Sequence, residues 1–596
     1  MADTARDLSR TLLLSGNEAI ARGAWEAGVR FGSGYPGTPS SEILPALKEL
    51  GHAYVEWSVN EKVALEAAAG ASIAGARCLV TMKHVGLNVA ADPLFTLSYT
   101  GVAGGLVIIS ADDPSMHSSQ NEQDNRNYAR AAKVPMLEPS DSREARDLTM
   151  RAFALSEQFD VPVIVRPVTR ICHSDGLVQV GERREVELRA ELQPQPRKYV
   201  MIPAWARERR VAMAERTAEL VALAEATDLN REEMGDRSLG IIASGVAWQY
   251  AREAFPEASF LKLGLVWPLP PERIRRFAAQ VERLFVVEEL DPFLTEQILA
   301  MGVAVEAVDE RFGLGELTPG RVRAMISGEP APRAAADEDL PPRPPTLCAG
   351  CPHRGVFDAL RTIKAYVTGD IGCYTLGTLP PLQALHTCLC MGAGVSQAHG
   401  MQKVRGHEAP VVAVIGDSTF THSGITALVN IAYNAGVSTV VILDNRTTAM
   451  TGGQVHPGVG ETLSGMPGRE LDFEALARAI GIDDVRVVDP YDMAATEQAL
   501  RAAMASPEPS VVIARRECAL MVPAHGPAPA LEEDLCIRCG KCIRIGCPAL
   551  SAFDDGGRRP IPRIDAALCT GCTMCAQVCP VNALKLPTEA EGGGDA

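Results

Sequence analysis

The chain has no uninterrupted apolar run near the roughly eighteen residues that a membrane-crossing helix needs. Its longest candidates, Val411-Val-Ala-Val-Ile-Gly416 and Thr439-Val-Val-Ile-Leu-Asp444, have the length of buried parallel strands. The N-terminal stretch lacks the basic start, long apolar run and small-residue cleavage site of a secretory signal. Basic charge is in deficit: 57 Lys and Arg against 74 Asp and Glu leave a net charge of −17. That balance argues against nucleic acid or an anionic membrane surface as the main partner. An apolar content of 46% and a charged content of 22% describe ordinary soluble material with ample core. The length of 596 residues allows about three to five domains.

Cysteine, by contrast, is concentrated. Eight of the 16 cysteines fall within the 44 residues 536–579, as Cys536-x2-Cys539-x2-Cys542-x4-Cys547-Pro and Cys569-x2-Cys572-x2-Cys575-x3-Cys579-Pro. Each cubane iron–sulfur cluster needs four soft thiolates, and short turns let three converge from one loop while the fourth serves the other cluster. The expected sets are therefore Cys536, Cys539, Cys542 with Cys579, and Cys569, Cys572, Cys575 with Cys547. A disulfide framework suits small secreted chains, and two in-phase triplets each followed by Cys-Pro fit zinc poorly. The first run is one residue longer than usual before its last cysteine, which a longer loop absorbs. Clusters and reduced thiols of this kind imply the cytoplasm.

The remaining chain reads as a multidomain α/β protein. Residues 1–185 alternate strand-like runs (Arg77–Met82, Gly105–Ala111, Val161–Arg166) with alanine-rich helical stretches such as Glu61–Ala74. Residues 186–236 are charged and poor in strand signals, a helical connector. A smaller α/β unit follows over 237–327, with strands expected at Leu239–Gly245, Phe260–Gly264 and Leu284–Glu289. The Pro-rich segment 328–345 is a linker by composition. A second large α/β domain spans 346–525 and a two-cluster module 529–588, with the last residues expected to be disordered.

In the second large domain Val411–Ile415 runs into Gly416-Asp417-Ser418, and Val440–Leu443 runs into Asp444-Asn445-Arg446-Thr447. Loops at the carboxyl ends of parallel strands form the ligand crevice. Asp417 and Asn445 can therefore converge as hard oxygen ligands for magnesium and a phosphate. Gly416 permits a tight turn, and a helix expected to begin near Ser423 offers N–H groups to phosphate. Taken alone, Asp at a strand end is more often an ordinary turn or cap.

The pair of loops resembles the thiamine-diphosphate motif, with Ser418 in place of its last glycine and Asp444 in place of its first asparagine. The resemblance implies Asp417 and Asn445 as side-chain ligands of magnesium and the carbonyl of Thr447 as a third. Met450-Thr-Gly-Gly-Gln454, with Thr451, resembles the cofactor-side loop of 2-oxoacid:ferredoxin oxidoreductases. Tyr35-Pro-Gly-Thr-Pro-Ser-Ser-Glu42, with Thr38, and Val59-Asn-Glu61 resemble the segments that meet the aminopyrimidine. Glu61 matches the carboxylate that must face the ring nitrogen; Glu56 and Glu66 are the alternatives nearby.

Over nearly its whole length the chain is similar to the large (α) subunits of indolepyruvate:ferredoxin oxidoreductases. The similarity also runs through Thr81–Asn88, Ala111–Pro114, His117–Arg126, Cys351-Pro-His-Arg-Gly355, Asp370–Gly377 and Asp444–Gly452. It implies a thiamine diphosphate site between the Glu61 and Asp417 domains, within one chain or across a dimer. The implied reaction is coenzyme-A-dependent oxidative decarboxylation of indole-3-pyruvate and other arylpyruvates, with electrons passed singly to ferredoxin. A smaller β subunit and an α2β2 assembly are implied as well. Pyruvate, 2-oxoglutarate and branched-chain 2-oxoacids are the alternative substrates. An electron-transfer subunit with a vestigial thiamine site is the alternative role. By analogy with the pyruvate enzymes, Cys348, Cys351, Cys373 and Cys518 match the ligands of a third [4Fe-4S] cluster near thiamine. Cys78, Cys172, Cys388 and Cys390 read as packing residues. Lys83, His84 and Arg126 are candidate contacts for anionic groups.

Overall fold

A computed structural model describes residues 10–188, 192, 194–329, 340, 343–406 and 410–586. Most of the linker segment and the extreme C-terminus lie outside these described residues. The chain divides into two compact units, Met1–Glu338 and Asp339–Ala596.

The first unit is built on a seven-stranded sheet whose order is Leu265–Trp267, Met136–Leu137, Val163–Val165, Leu106–Ala111, Cys78–Lys83, Phe31–Gly34 and Tyr54–Trp57. Every pairing is parallel except that of Leu265–Trp267, which runs antiparallel to Met136–Leu137. The central strands are mostly apolar and almost wholly buried, as parallel sheets covered on both faces require. The strands expected from the pattern appear within three residues of their anticipated ends. The helix read at Glu61–Ala74 is Glu61–Ile73, started by Asn60, whose side chain accepts from the Val63 N–H at 2.9 Å.

Two features of this unit depart from the sequence reading. The segment 237–327 is not self-contained: its strand Leu265–Trp267 completes the sheet of the preceding domain. The connector is not purely helical either. Its 24-residue helix Pro203–Ala226 is anchored by Arg209 and Arg216 to Asp160, and the strand Arg231–Glu233 then closes a four-stranded sheet. Only four of that helix's residues are buried, so hydrophobic patterning carries little of its placement. Charged residues hide the short strand, whose pairing is main-chain and antiparallel to Phe260–Lys262.

The second unit holds a six-stranded, wholly parallel sheet in the order Thr387–Cys388, Tyr366–Gly369, Val411–Gly416, Thr439–Asp444, Ser510–Arg515, Asp484–Val488. Its central strands are fully buried. The helix expected from Ser423 begins six residues earlier, at Asp417, and passes through one π turn, Phe420–Gly424, before continuing as Ile425–Tyr433. The strand therefore runs into the helix with no intervening loop, and Asp417 is the first helical residue.

The cysteine-rich module has two short antiparallel ribbons, Ala530–Leu531 with Leu584–Lys585 and Leu550–Phe553 with Ile561–Ile564. It packs on the six-stranded domain. Gln577 Nε2 donates to the Tyr491 carbonyl at 2.7 Å, and the Tyr491 hydroxyl donates to the Gly350 carbonyl. Tyr491, Met493, Ile545 and Met574 form the buried apolar contact beneath.

Candidate functional site

Parallel alignment of Val411–Gly416 with Thr439–Asp444, in a register that pairs Gly416 with Leu443, brings their carboxyl ends together. Asp417 is 2% exposed. Its carboxylate accepts the main-chain N–H groups of Ser418 and Arg446, each at 2.7 Å. One terminal atom of the Asn445 amide lies 3.1 and 3.3 Å from the Asp417 carboxylate oxygens and 3.0 Å from the Thr447 carbonyl. With its nitrogen there the amide satisfies the ligand-free chain. With its oxygen there, a carboxylate, an amide oxygen and a carbonyl converge, the hard donor set that suits magnesium.

Ser418 accepts from the Thr448 hydroxyl at 2.9 Å, and Thr451 donates to the Gln454 side chain in the 3-10 turn Ala449–Thr451. Gly416 is required for a different reason from the one read in the sequence. Its φ of −76° is open to any residue, but a Cβ there would come within 2.9 Å of the Tyr374 ring. Close approach, and not a tight turn, is what selects glycine. Asp444, the departure from the familiar motif, is fully buried and paired with Arg515 at 2.7 Å, so it serves the strand end.

His456 was not singled out from the sequence. Its Nδ1 accepts from the Gly458 N–H at 3.1 Å, which leaves the neutral ring's proton on Nε2, 3.1 Å from Asp417 Oδ2. It stands two residues past the Met450–Gln454 loop, but nothing local marks it as a neighbour of Asp417, 39 residues earlier.

In the first unit Glu61 is 4% exposed. Glu66 is paired with Lys62 on the surface, and the half-buried Glu56 accepts from Tyr54 and Ser58. Glu61 thus stands apart as the buried carboxylate, at the positive end of its helix. Gly86 lies against it, since a Cβ there would come within 2.7 Å of Glu61 Oε1. Lys83 donates to the Ser118 carbonyl at 2.9 Å, and the Ser118 hydroxyl to the Thr38 carbonyl at 3.3 Å. Burial draws the Lys83 pKa down to about 8, against the opposing charges of Asp113 and Glu61.

The other two candidate anion contacts are corrected. Burial is the largest cause lowering the His84 pKa to about 4, so the ring is neutral at pH 7. Arg126 is 1% exposed and fully engaged, donating to Asp124, to Glu288 at 2.8 Å, and to the carbonyls of Glu289 and Asp291 at 2.8 and 3.0 Å. It has no hand free for a ligand.

The sixteen thiols separate by neighbourhood. Burial raises the pKa of Cys542, and the charges that add to it come from Cys539, Cys579 and Cys536. Burial raises Cys575 to about 12, with Cys572, Cys547 and Cys569 first among its charged neighbours. One cavity is lined by Cys547, Cys569, Cys572 and Cys575 together with Gly350. Cys579 thus neighbours the first run and Cys547 the second. A further group forms around the other domain: Cys351 faces Cys373 and Cys348, and Cys373 faces Cys518 and Cys348. Cys78 and Cys172 are buried, as expected of packing residues, whereas Cys390 is exposed.

Among the described residues no three His, Cys, Asp or Glu side chains stand close enough to share one ion. Four thiols around a cubane bind four different irons and spread correspondingly wider. The Asp417 site supplies its remaining oxygens from an amide and a carbonyl. Both donor sets therefore fit the groups they resemble.

Comparison with known proteins agrees with this geometry. Residues 22–227 match the model for "Pyruvate flavodoxin/ferredoxin oxidoreductase, thiamine diP-bdg". Residues 370–514 match "Thiamine pyrophosphate enzyme, C-terminal TPP binding domain", and 530–586 match "4Fe-4S dicluster domain". The indolepyruvate oxidoreductase subunit IorA of Archaeoglobus fulgidus is 41% identical over 98% of this chain and 99% of its own length. The chain belongs to the IorA family. The IorA of Methanothermobacter marburgensis is 40% identical over 96% of the chain and 97% of its own length. A 2-oxoglutarate synthase subunit KorA from Methanothermobacter thermautotrophicus is 25% identical over 54% of the chain and 99% of its own length. The chain combines thiamine-pyrophosphate-binding domains with a 4Fe-4S dicluster domain. Among the described residues no helix is long and apolar enough to cross a membrane.

Proposed function

We propose that the chain is the thiamine- and iron–sulfur-bearing subunit of an enzyme that oxidatively decarboxylates indolepyruvate-type 2-oxoacids to acyl-coenzyme A and passes the electrons to ferredoxin. The observation that carries this reading is the convergence of Asp417, Asn445 and the Thr447 carbonyl in a chain that also holds the buried Glu61. Thiamine diphosphate, when bound, would supply the electron sink that takes up the bonding pair as carbon dioxide leaves. Asp417, Asn445 and Thr447 hold the magnesium of its diphosphate. Gly416 admits that group against Tyr374, while Ser418 and Thr451 line its approach and Thr38 the pyrimidine end. Glu61 holds a proton against the pyrimidine ring nitrogen, which no solvated carboxylate does well.

Cys536, Cys539, Cys542 and Cys579 ligate one [4Fe-4S] cluster, and Cys547, Cys569, Cys572 and Cys575 the other. Cys348, Cys351, Cys373 and Cys518 ligate a third, next to the Asp417 site. Residues 1–185 and 346–525 are the thiamine-binding domains and 529–588 the dicluster module, while 186–236 and 237–327 share strands with their neighbours. A smaller β subunit completes an α2β2 assembly in the cytoplasm.

The test is anaerobic reduction of ferredoxin by the chain co-purified with its partner. Indolepyruvate, phenylpyruvate, pyruvate and 2-oxoglutarate are each tried with and without coenzyme A. The expected result is coenzyme-A-dependent reduction with the aromatic acids. Preference for an aliphatic acid keeps the chemistry and changes the substrate. A Glu61→Gln variant should lose activity by about 100-fold or more while retaining thiamine diphosphate. A wild-type chain that binds cofactor yet reduces nothing would leave only an electron-transfer role.

A further inference from the structure

Arg354 follows Cys351-Pro-His and is 1% exposed. Its guanidinium reaches in two directions within the second unit. Toward its own loop, Nε donates to the Cys348 carbonyl at 3.2 Å and Nη2 to the Leu347 carbonyl. Toward the dicluster module, Nη1 donates to the carbonyls of Ile545 at 3.0 Å and Gly546 at 2.7 Å. Those carbonyls lie in the stretch before Cys547 that carries one residue more than the usual spacing. The chain there makes a 3-10 turn, Ile543–Ile545, and leaves it through Gly546 at φ +72°. The longer loop thus turns two successive carbonyls toward one arginine.

A buried guanidinium bonded to carbonyls has its donors satisfied, but its charge still needs an anion. The ionisable groups around it are the thiols of Cys351, Cys547, Cys348 and Cys572. Two of these belong to the third-cluster set and two to the nearer dicluster set. As neutral thiols they compensate nothing; as cluster ligands they carry the missing negative charge.

We propose that Arg354 is a positioning residue that clamps the Cys547 loop of the dicluster module to the Cys348–Cys351 loop, fixing the separation of the two clusters and serving as their shared buried counter-cation. This rests on the third-cluster reading given above. Two consequences follow from the geometry. Removing the fork releases the spacing between the two sets. Removing the charge makes each cluster harder to reduce, because a nearby cation favours the more negative state.

The experiment uses the complete enzyme with its partner subunit, reduced anaerobically, with three readouts: iron content, the magnetic interaction between reduced clusters by electron paramagnetic resonance, and midpoint potentials. Arg354→Gln is expected to abolish the interaction splitting and shift the potentials negative. Arg354→Lys should restore the potentials, having the charge, but not the splitting, lacking the fork. Gly546→Ala leaves the guanidinium intact, yet its Cβ would meet the Pro381 ring at 2.7 Å and Arg354 Nη1 at 3.2 Å. It should disturb the splitting alone. Should Arg354→Gln fail to retain clusters, Gly546→Ala decides the matter. Full iron with unchanged splitting in Gly546→Ala overturns the clamp, as do unchanged splitting and potentials in Arg354→Gln. Wild-type iron equal to only two clusters overturns the third-cluster reading, and the role of Arg354 with it.

Discussion

The main-chain N–H of Cys518 donates to the main-chain carbonyl of Asn445 over 3.0 Å. One hydrogen bond therefore ties a cysteine of the Cys348, Cys351, Cys373 group to the amide that faces Asp417. Electrostatics repeats the relation: burial raises the Cys518 pKa, and Cys348 and Asp417 lie among the charges that add to it. A redox centre held by this group would sit beside the oxygen site with no further element between them.

That arrangement makes the iron content decisive. Cys373 belongs to the third group alone, and burial, followed by Cys518 and Cys348, raises its pKa to about 11. Replacing it by serine should remove one cluster's iron and leave the dicluster signals in place. The check is iron analysis together with low-temperature spectra of the reduced chain. Iron unchanged by Cys373→Ser would reduce these thiols to packing groups.

Asp417→Asn separates charge from shape. The variant keeps the volume but loses the anion that accepts from the N–H groups of Ser418 and Arg446 and faces His456. Apparent affinity for thiamine diphosphate with magnesium should fall by at least about 100-fold, since even outer partners of a metal ligand are worth 10 to 100-fold. His456→Gln, which acts through Asp417, should cost less. Calorimetric titration of each variant checks the order.

The parts legible in the sequence were those written in local pattern. Strands such as Thr439–Asp444 are continuous apolar runs, and the cysteine spacings encode their loops directly. Asp417, Asn445 and Glu61 were legible through motif, and each proved buried. What escaped is what depends on distant partners. The strand Leu265–Trp267 has no property marking it for the preceding domain's sheet. His456 and Arg354 gain their meaning from Asp417 and from the carbonyls of Ile545 and Gly546. Arg126 looked like a ligand contact because charge in a motif-rich segment suggests one. Its partners Glu288 and Asp291 lie more than 160 residues away.

Arg126 supplies a prediction of stability without function. It is buried with Asp124, and Glu288 is 9% exposed. Truncating one member of such a network leaves the others charged and unpaired, at a cost of about 3–5 kcal/mol. Arg126→Met should lower resistance to denaturant by this order while affinity for thiamine diphosphate in the folded chain stays unchanged. A selective loss of cofactor affinity at wild-type stability would return Arg126 to the site.

His84 predicts a pH dependence with a definite sign. Its Nε2 faces the Asn121 carbonyl at 3.0 Å, so the neutral ring carries its proton there. Burial first, then the neighbouring Lys83 charge, lowers its pKa from 6.5 to about 4. Between those values the unfolded chain binds a proton that the folded chain refuses. The stability His84 contributes is therefore complete above pH 6.5 and is lost as pH falls toward 4. Asp112 works in the opposite direction, because burial raises its pKa to about 6 and the folded chain then holds a proton that the unfolded chain releases. The wild-type profile mixes the two, so the informative quantity is the difference between wild type and His84→Gln. Denaturant midpoints measured at pH 7 and at pH 5 should show the wild type losing ground to the variant on acidification. Parallel profiles would mean that His84 takes up its proton equally well in the folded chain.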